Sequence, residues 1–268
     1  MVDSESLLRR GRLISFLGGY SKPACMYRRY RPRWFWAATS PFGRPTDRYV
    51  KEQGTVVKRG PFEGMVYPEN VTGHVNYLSS KLIGTYEPEV TEFIQQHLPE
   101  SDLFVDLGSA EGFFCVGVAR RAPVKVIGYE MNRYERDFAS AIAKLNDVNI
   151  ELRGEADAKE LNALPEGRLL LLCDIEGVEE DLLDPELVPR LKESLMVVES
   201  HEQFRPNVVK VLTERFEATH HVEHVMAKQA SPAGYAEVEG WDEEAADMVV
   251  FDGHHDGDSW MTFVPKSN

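Results

Sequence analysis

From residue 103 onward, short apolar runs alternate with amphipathic segments of helical period. That alternation restricts the chain more than any other feature. LFVDLG (103–108), KVIGYE (125–130), NIELRGEAD (149–157), RLLLLCDIEG (168–177), SLMVVESHE (194–202), EATHHVEHVM (217–226) and DSWMTFVPK (258–266) read as seven strands. EGFFCVGVARRA, RYERDFASAIAKLN, VPRLKE and NVVKVLTERF, lying between them, read as helices. Strands alternating with helices predict a doubly wound α/β domain, a Rossmann-like, seven-stranded, mostly parallel sheet. RLLLLC is apolar throughout, as a central parallel strand covered on both faces should be. Before the alternation, YEPEVTEFIQQHL (86–98) spaces Val90, Phe93, Ile94 and Leu98 as a helix does, with Pro88 in its first turn. GPFEGMVYPE (60–69) reads as turn, strand, turn.

The charge is uneven. Residues 1–60 carry 13 Lys+Arg against 4 Asp+Glu, net +9, while residues 61–268 carry 17 against 40, net −23. The sequence therefore divides into an irregular basic N-terminal extension, 1–57, with one short helix over 4–17, and a body, 58–268. The extension holds YRRYRPRWFW (27–36), where arginines alternate with aromatics. Such a stretch suits stacking on bases, contact with an anionic membrane surface, or packing on the acidic body as a cap. The acidic body argues against a large nucleic-acid footprint. No apolar run approaches the ~18 residues of a membrane span. The N-terminus has no continuous apolar stretch of the signal-peptide kind. Cys25, Cys115 and Cys173 are too few and too scattered for a disulfide framework, so a cytoplasmic protein is expected.

The turn after the first strand, FVDLGSAEGFF, has Gly108 and Gly112 as D-x-G-x-x-x-G. Glycine lets the backbone bend sharply and approach a ligand, and the following helix offers free N–H groups. A dinucleotide fold wants G-x-G-x-x-G, and position 110 is Ala, so a pyrophosphate fits poorly. S-adenosylmethionine fits better, because its amino-acid end and sugar need a tight turn but no phosphate cradle. Glu130, ending the second strand 24 residues after Asp106, is placed to accept from ribose hydroxyls.

With these pieces named, the chain resembles the class I S-adenosylmethionine-dependent methyltransferases, and more narrowly the FkbM type. GPFEGMVYP (60–68), KLIGTYEPEV (81–90), FVDLGSAEGFF (104–114), LLCDIEGVEE (171–180) and VVESHE (197–202) carry the resemblance. It implies a sheet order of 3-2-1-4-5-7-6 with the last strand antiparallel. It also implies methyl transfer to a hydroxyl of a sugar, glycan or natural product. Carried over by motif, Asp106, Gly108, Glu111 and Gly112 line the methionine end, Glu130 holds the ribose, and Asp157 lies near the adenine. Tyr86 and Glu87 approach from the preceding segment. Ala110 stands where the family pattern has Asn, which removes one side-chain contact.

If the fourth and fifth strands are neighbours, as the resemblance implies, Asp174-x-Glu176 and Glu199-x-His201 converge at the cofactor's edge. A neutral alcohol is a poor nucleophile and must lose its proton. His201 is a candidate general base with Glu199 or Asp174 orienting its ring. Alternatively Asp174, Glu176 and Glu199 hold Mg²⁺, which acidifies the bound hydroxyl. A purely structural alternative has Asp174 and Glu176 capping the next helix and Glu199 paired with an Arg. His220, His221 and His224 read as surface or satisfied residues. FDGHHDGDSW (251–260) reads as a solvated turn, or else as a lid, and His74 as a loop residue. The rivals to a methyltransferase of hydroxyls are RNA methylation and a non-catalytic adenosyl-binding module that recruits a partner.

Overall fold

The computed structural model describes residues 42–71, 75–255 and 257–267. In chain order its main elements are α1 (Gly43–Gln53), α2 (Leu78–Ile83), α3 (Pro88–His97), β1 (Leu103–Leu107), α4 (Phe113–Arg121), β2 (Lys125–Tyr129), α5 (Arg133–Leu145), β3 (Glu151–Arg153), α6 (Ala158–Asn162), β4 (Leu169–Cys173), α7 (Glu179–Leu182), β5 (Leu195–Glu199), α8 (Val208–Phe216), β6 (His220–Met226), α9 (Glu243–Val250) and β7 (Ser259–Pro265). They fall into two compact units.

The larger unit comprises residues 60–65, 87–229 and 253–268. It holds a seven-stranded sheet in the order β3-β2-β1-β4-β5-β7-β6. β1 to β5 are parallel, and β7 runs antiparallel to both β5 and β6. This is the Rossmann-like, mostly parallel arrangement, in the strand order 3-2-1-4-5-7-6 that the resemblance implied. β1 and β4 are buried along their whole lengths and pair in register from Leu103↔Leu169 to Leu107↔Cys173. Their apolar side chains join Ile127, Met196, Val198 and Phe263 in the core. Cys115 and Cys173 are free and buried. The 60–69 segment is not a strand. Residues 61–64 form turns, and Phe62 packs edge-on to Phe113 and Phe114 of α4, with centroids 5.2 and 6.0 Å away. A Cβ at Gly117 would lie 2.5 Å from the Phe62 ring, so the helix is bare where the turn lands.

The smaller unit comprises residues 1–59, 66–86 and 230–252. Of its described part, α1, α2 and α9 pack together around the fully buried Tyr49. The Thr85 hydroxyl donates to the Val250 carbonyl at 2.8 Å, and the rings of Phe42, Tyr77 and Phe251 meet at 5.6–5.8 Å. α1 corrects the expectation of an irregular 1–60 segment. Pro45 sits in the first turn of α1, where proline is tolerated, and Gly54 ends it at φ +80°. Val66 makes one isolated bridge to Val56. The helix expected over 4–17, the YRRYRPRWFW stretch and His74 lie outside the described residues. Among the described residues no helix is long and apolar enough to cross a membrane.

Candidate active site

In an open α/β sheet, ligands bind beyond the carboxyl ends of the strands. At that edge of β1 the chain turns through Gly108 at φ +91°, Ala110 at +44° and Gly112 at +86°. A Cβ on Gly108 would stand 1.7 Å from the Asp174 carbonyl oxygen, so the glycine is required by the end of β4. A Cβ on Gly112 would stand 2.9 Å from that of Ala139 on α5. Asp106 is buried and accepts from the Cys115 thiol at 3.3 Å, and Glu111 is also buried.

Glu130 follows β2 and is 8% exposed. Its Oε2 accepts from the Ala110 N–H at 3.1 Å and its Oε1 from the Asn132 N–H at 2.6 Å. Burial raises its pKa more than these two donors and Arg136 lower it. Each carboxylate oxygen keeps a second lone pair for a ligand. Glu130 therefore ties the glycine turn to the β2 end, besides any contact it offers a sugar. Asp157 is exposed, and its Oδ1 caps α6 by accepting from the Glu160 N–H at 2.7 Å. Tyr86 lies in the smaller unit, its ring 4.4 Å from the Lys81 ammonium. Glu87 is buried at φ +42°, ahead of α3.

The residues singled out on β4 and β5 do come together. His201 is buried, and its Nε2 stands 3.5 Å from Glu199, 3.6 Å from Asp174 and 3.7 Å from Glu176. Contrary to the expectation that Glu199 or Asp174 orients the ring, neither does so. Its Nδ1 lies 2.7 Å from Oε1 of Glu179, which is fully buried. The Gly177 N–H, at 3.0 Å, fixes that same oxygen. Glu176 and Gly177 take left-handed φ of +57° and +98°, which turns the chain sharply from β4 toward α7. α7 has no side-chain cap, so Asp174 and Glu176 do not cap it. Among the described residues no arginine pairs with Glu199; His254 Nε2 lies 3.3 Å from its Oε1.

The charges follow from this crowding. Burial, then Glu199 and Glu87, push the Asp174 carboxyl well above the usual range. Burial lowers the His201 pKa, but the Glu179 hydrogen bond and the charges of Glu199, Glu179 and Glu176 outweigh it and raise the ring overall. Burial would raise Glu179 too, yet its bonds to His201 and Gly177 bring it below the usual value.

Glu179 and His254 are the site residues that sequence reasoning missed. Glu179 stood unassigned in an acidic run, and its partner is 22 residues away, just past the end of β5. His254 belongs to the loop read as a solvated turn, but it is buried. Its only sequence signal was the His-His pair just before β7. His220 is buried and satisfied, with Nε2 3.0 Å from the Ser194 carbonyl.

No family model and no curated protein matches the chain. Among solved structures, an O-methyltransferase from Bacillus cereus in complex with S-adenosylhomocysteine aligns at 11% identity over 85% of this chain and 91% of its own, with a TM-score of 0.46. The O-methyltransferase TomG from Streptomyces achromogenes, in complex with S-adenosylmethionine, aligns at 12% over 66% and 80%, TM-score 0.44. A tRNA (uracil-54, C5)-methyltransferase from Pyrococcus abyssi aligns at 16% over 65% and 37%, TM-score 0.39. At these values the likenesses carry no argument about what this chain acts on.

Proposed function

We propose that the chain is an S-adenosylmethionine-dependent methyltransferase of the FkbM type, acting on a hydroxyl of a sugar, glycan or natural product. The observation that carries the reading is the contact between Gly108 and the Asp174 carbonyl. It sets a side-chain-free turn, fit for the methionine end of a cofactor, directly against the end of β4, where the carboxylate–histidine cluster begins. S-adenosylmethionine supplies an electrophilic methyl group. The glycine turn and helix α4 offer backbone N–H groups to its amino-acid end, and Glu130 offers lone pairs to its sugar. The cluster of Asp174, Glu176, Glu199 and His201 takes up the proton that the acceptor hydroxyl releases as its oxygen attacks. A module that only bound the cofactor would have no use for three carboxylates and a buried imidazole at this edge. Residues 58–268 carry the activity in this reading, in the cytoplasm, with 1–57 as an extension suited to an anionic surface.

Calorimetric titration with S-adenosylhomocysteine tests it. Micromolar binding, about −8 kcal/mol, is expected. Glu130→Ala should weaken it at least about tenfold, because it removes the acceptor at the β2 end and frees the Ala110 N–H. No heat from either protein would bring the partner-recruiting module forward.

A further inference from the structure

We propose that Asp174, Glu176 and His201 form a binding site for a divalent first-row transition-metal ion, with Glu199 as a further oxygen donor. One atom from each of the first three lies within 4.8 Å of the others. The separations from His201 Nε2 to the carboxylates, 3.5–3.7 Å, are what a shared ion sets. Ligands at about 2.1 Å from a tetrahedral ion stand about 3.4 Å apart.

A proton on Nε2 accounts for these distances less well. An imidazolium donating to a carboxylate draws one oxygen to about 2.8 Å and leaves the others behind. Here three oxygens stand nearly equidistant. The ring itself is held for a ligand's role. Its Nδ1 sits 2.7 Å from the buried carboxylate of Glu179, which places a proton on Nδ1 and turns Nε2 toward the carboxylates. A carboxylate behind a histidine is the usual outer support of a metal ligand. A second observation points the same way: Asp174 Oδ1, the atom facing Nε2, is buried and accepts no hydrogen bond. Nε2 and three carboxyl groups facing one point make a donor set that a cation can hold together once they lose their protons.

The imidazole decides the class of ion. Mg²⁺ and Ca²⁺ take oxygen ligands, whereas imidazole beside carboxylates suits Zn²⁺, Co²⁺, Fe²⁺ and their neighbours. This replaces the all-carboxylate Mg²⁺ set of Asp174, Glu176 and Glu199. The inference rests on the methyltransferase reading for the ion's role, which is to acidify a hydroxyl brought to the glycine turn. It does not rest on that reading for the ion's binding.

Co²⁺ titration of the chelator-treated full chain, read by d–d absorption, is the test. One equivalent should saturate the bands. Zn²⁺ should displace it, and an equal concentration of Mg²⁺ should not. Glu176→Gln is at an exposed position and leaves the fold intact by circular dichroism. It should weaken Co²⁺ by at least the ~10–100-fold that loss of an outer-shell partner costs, and Glu179→Gln should fall within that range. His201→Gln should shift the bands, because a nitrogen ligand is lost. Absence of d–d bands, displacement by Mg²⁺, or equal affinity in the unsubstituted chain and both glutamine variants overturns the site. S-adenosylhomocysteine titrated into the same preparations separates the two readings. Cofactor binding without Co²⁺ binding removes this inference alone, and Co²⁺ binding without cofactor binding removes the methyltransferase.

Discussion

Gly108 is where a single atom decides most. Any side chain there must displace the Asp174 backbone, and the φ of +91° is costly for an L-residue. Gly108→Ala should lose about 1–3 kcal/mol to overpacking, and about 1 kcal/mol more to the left-handed backbone. It should also abolish S-adenosylhomocysteine binding. Gly154→Ala, where an added Cβ meets nothing within 4 Å, is the control and should stay within about 0.5 kcal/mol. Urea unfolding of both variants reads the difference, and equal midpoints would remove the requirement for glycine at 108. This position was legible in the sequence, because a glycine after an apolar run announces a turn. What it packs against was not legible, since Asp174 is 66 residues away.

Elements show the same division between local and distant information. β1, β2, β4 and β5 were legible because short apolar runs carry their own signal, and β4 needed no partner to be recognised. α1 was not, because its Gly43, Pro45 and Gly54 are as common in loops as at helix ends, and only burial of Tyr49 and Val50 distinguishes the cases. At the site, Asp174, Glu176, Glu199 and His201 were legible as strand-end residues. Glu179 and His254 were not, because their roles exist only once β4, β5 and the loop before β7 are side by side. β6 supports a prediction of its own. Its first residue, His220, is 1% exposed, and burial holds its pKa below the usual 6.5 despite backbone hydrogen bonds that oppose the shift. The unfolded chain therefore takes up a proton near pH 6.5, whereas the fold resists until lower pH. The stability contributed by the neutral ring is complete above 6.5 and is lost as pH falls through that value toward the folded pKa. His220→Gln should be less stable at pH 7.5 by about 1–3 kcal/mol, through the Ser194 carbonyl it leaves unpaired. It should also lose less stability than the unsubstituted chain between pH 7.5 and 5. Parallel urea midpoints at the two pH values would contradict the assignment of a neutral buried ring.

Across the whole molecule the −14 charge bears on which acceptor the proposed activity could take. A polynucleotide brings a dense row of phosphates, and its binding is driven largely by counterions released to lysine and arginine. Residues 61–268 carry a net −23 and repel such a partner, so any affinity for it has to come from the +9 of residues 1–60. A sugar or natural product carries no such row, and the acidic body costs its binding little. Labelled single-stranded RNA followed by fluorescence anisotropy should therefore show no saturation up to about 100 μM protein at roughly 150 mM salt, the weak end of non-specific binding. Any signal that appears near 50 mM salt should vanish when Arg28, Arg29, Arg31 and Arg33 are all replaced by Ala. S-adenosylhomocysteine affinity should be unchanged by those four substitutions, because the turn and the Glu130 that take the cofactor in the proposed reading lie at 106–130. Saturable micromolar binding that survived both the higher salt and the four substitutions would mean that the acidic body itself accepts RNA. The hydroxyl of a neutral acceptor would then give way to a nucleotide.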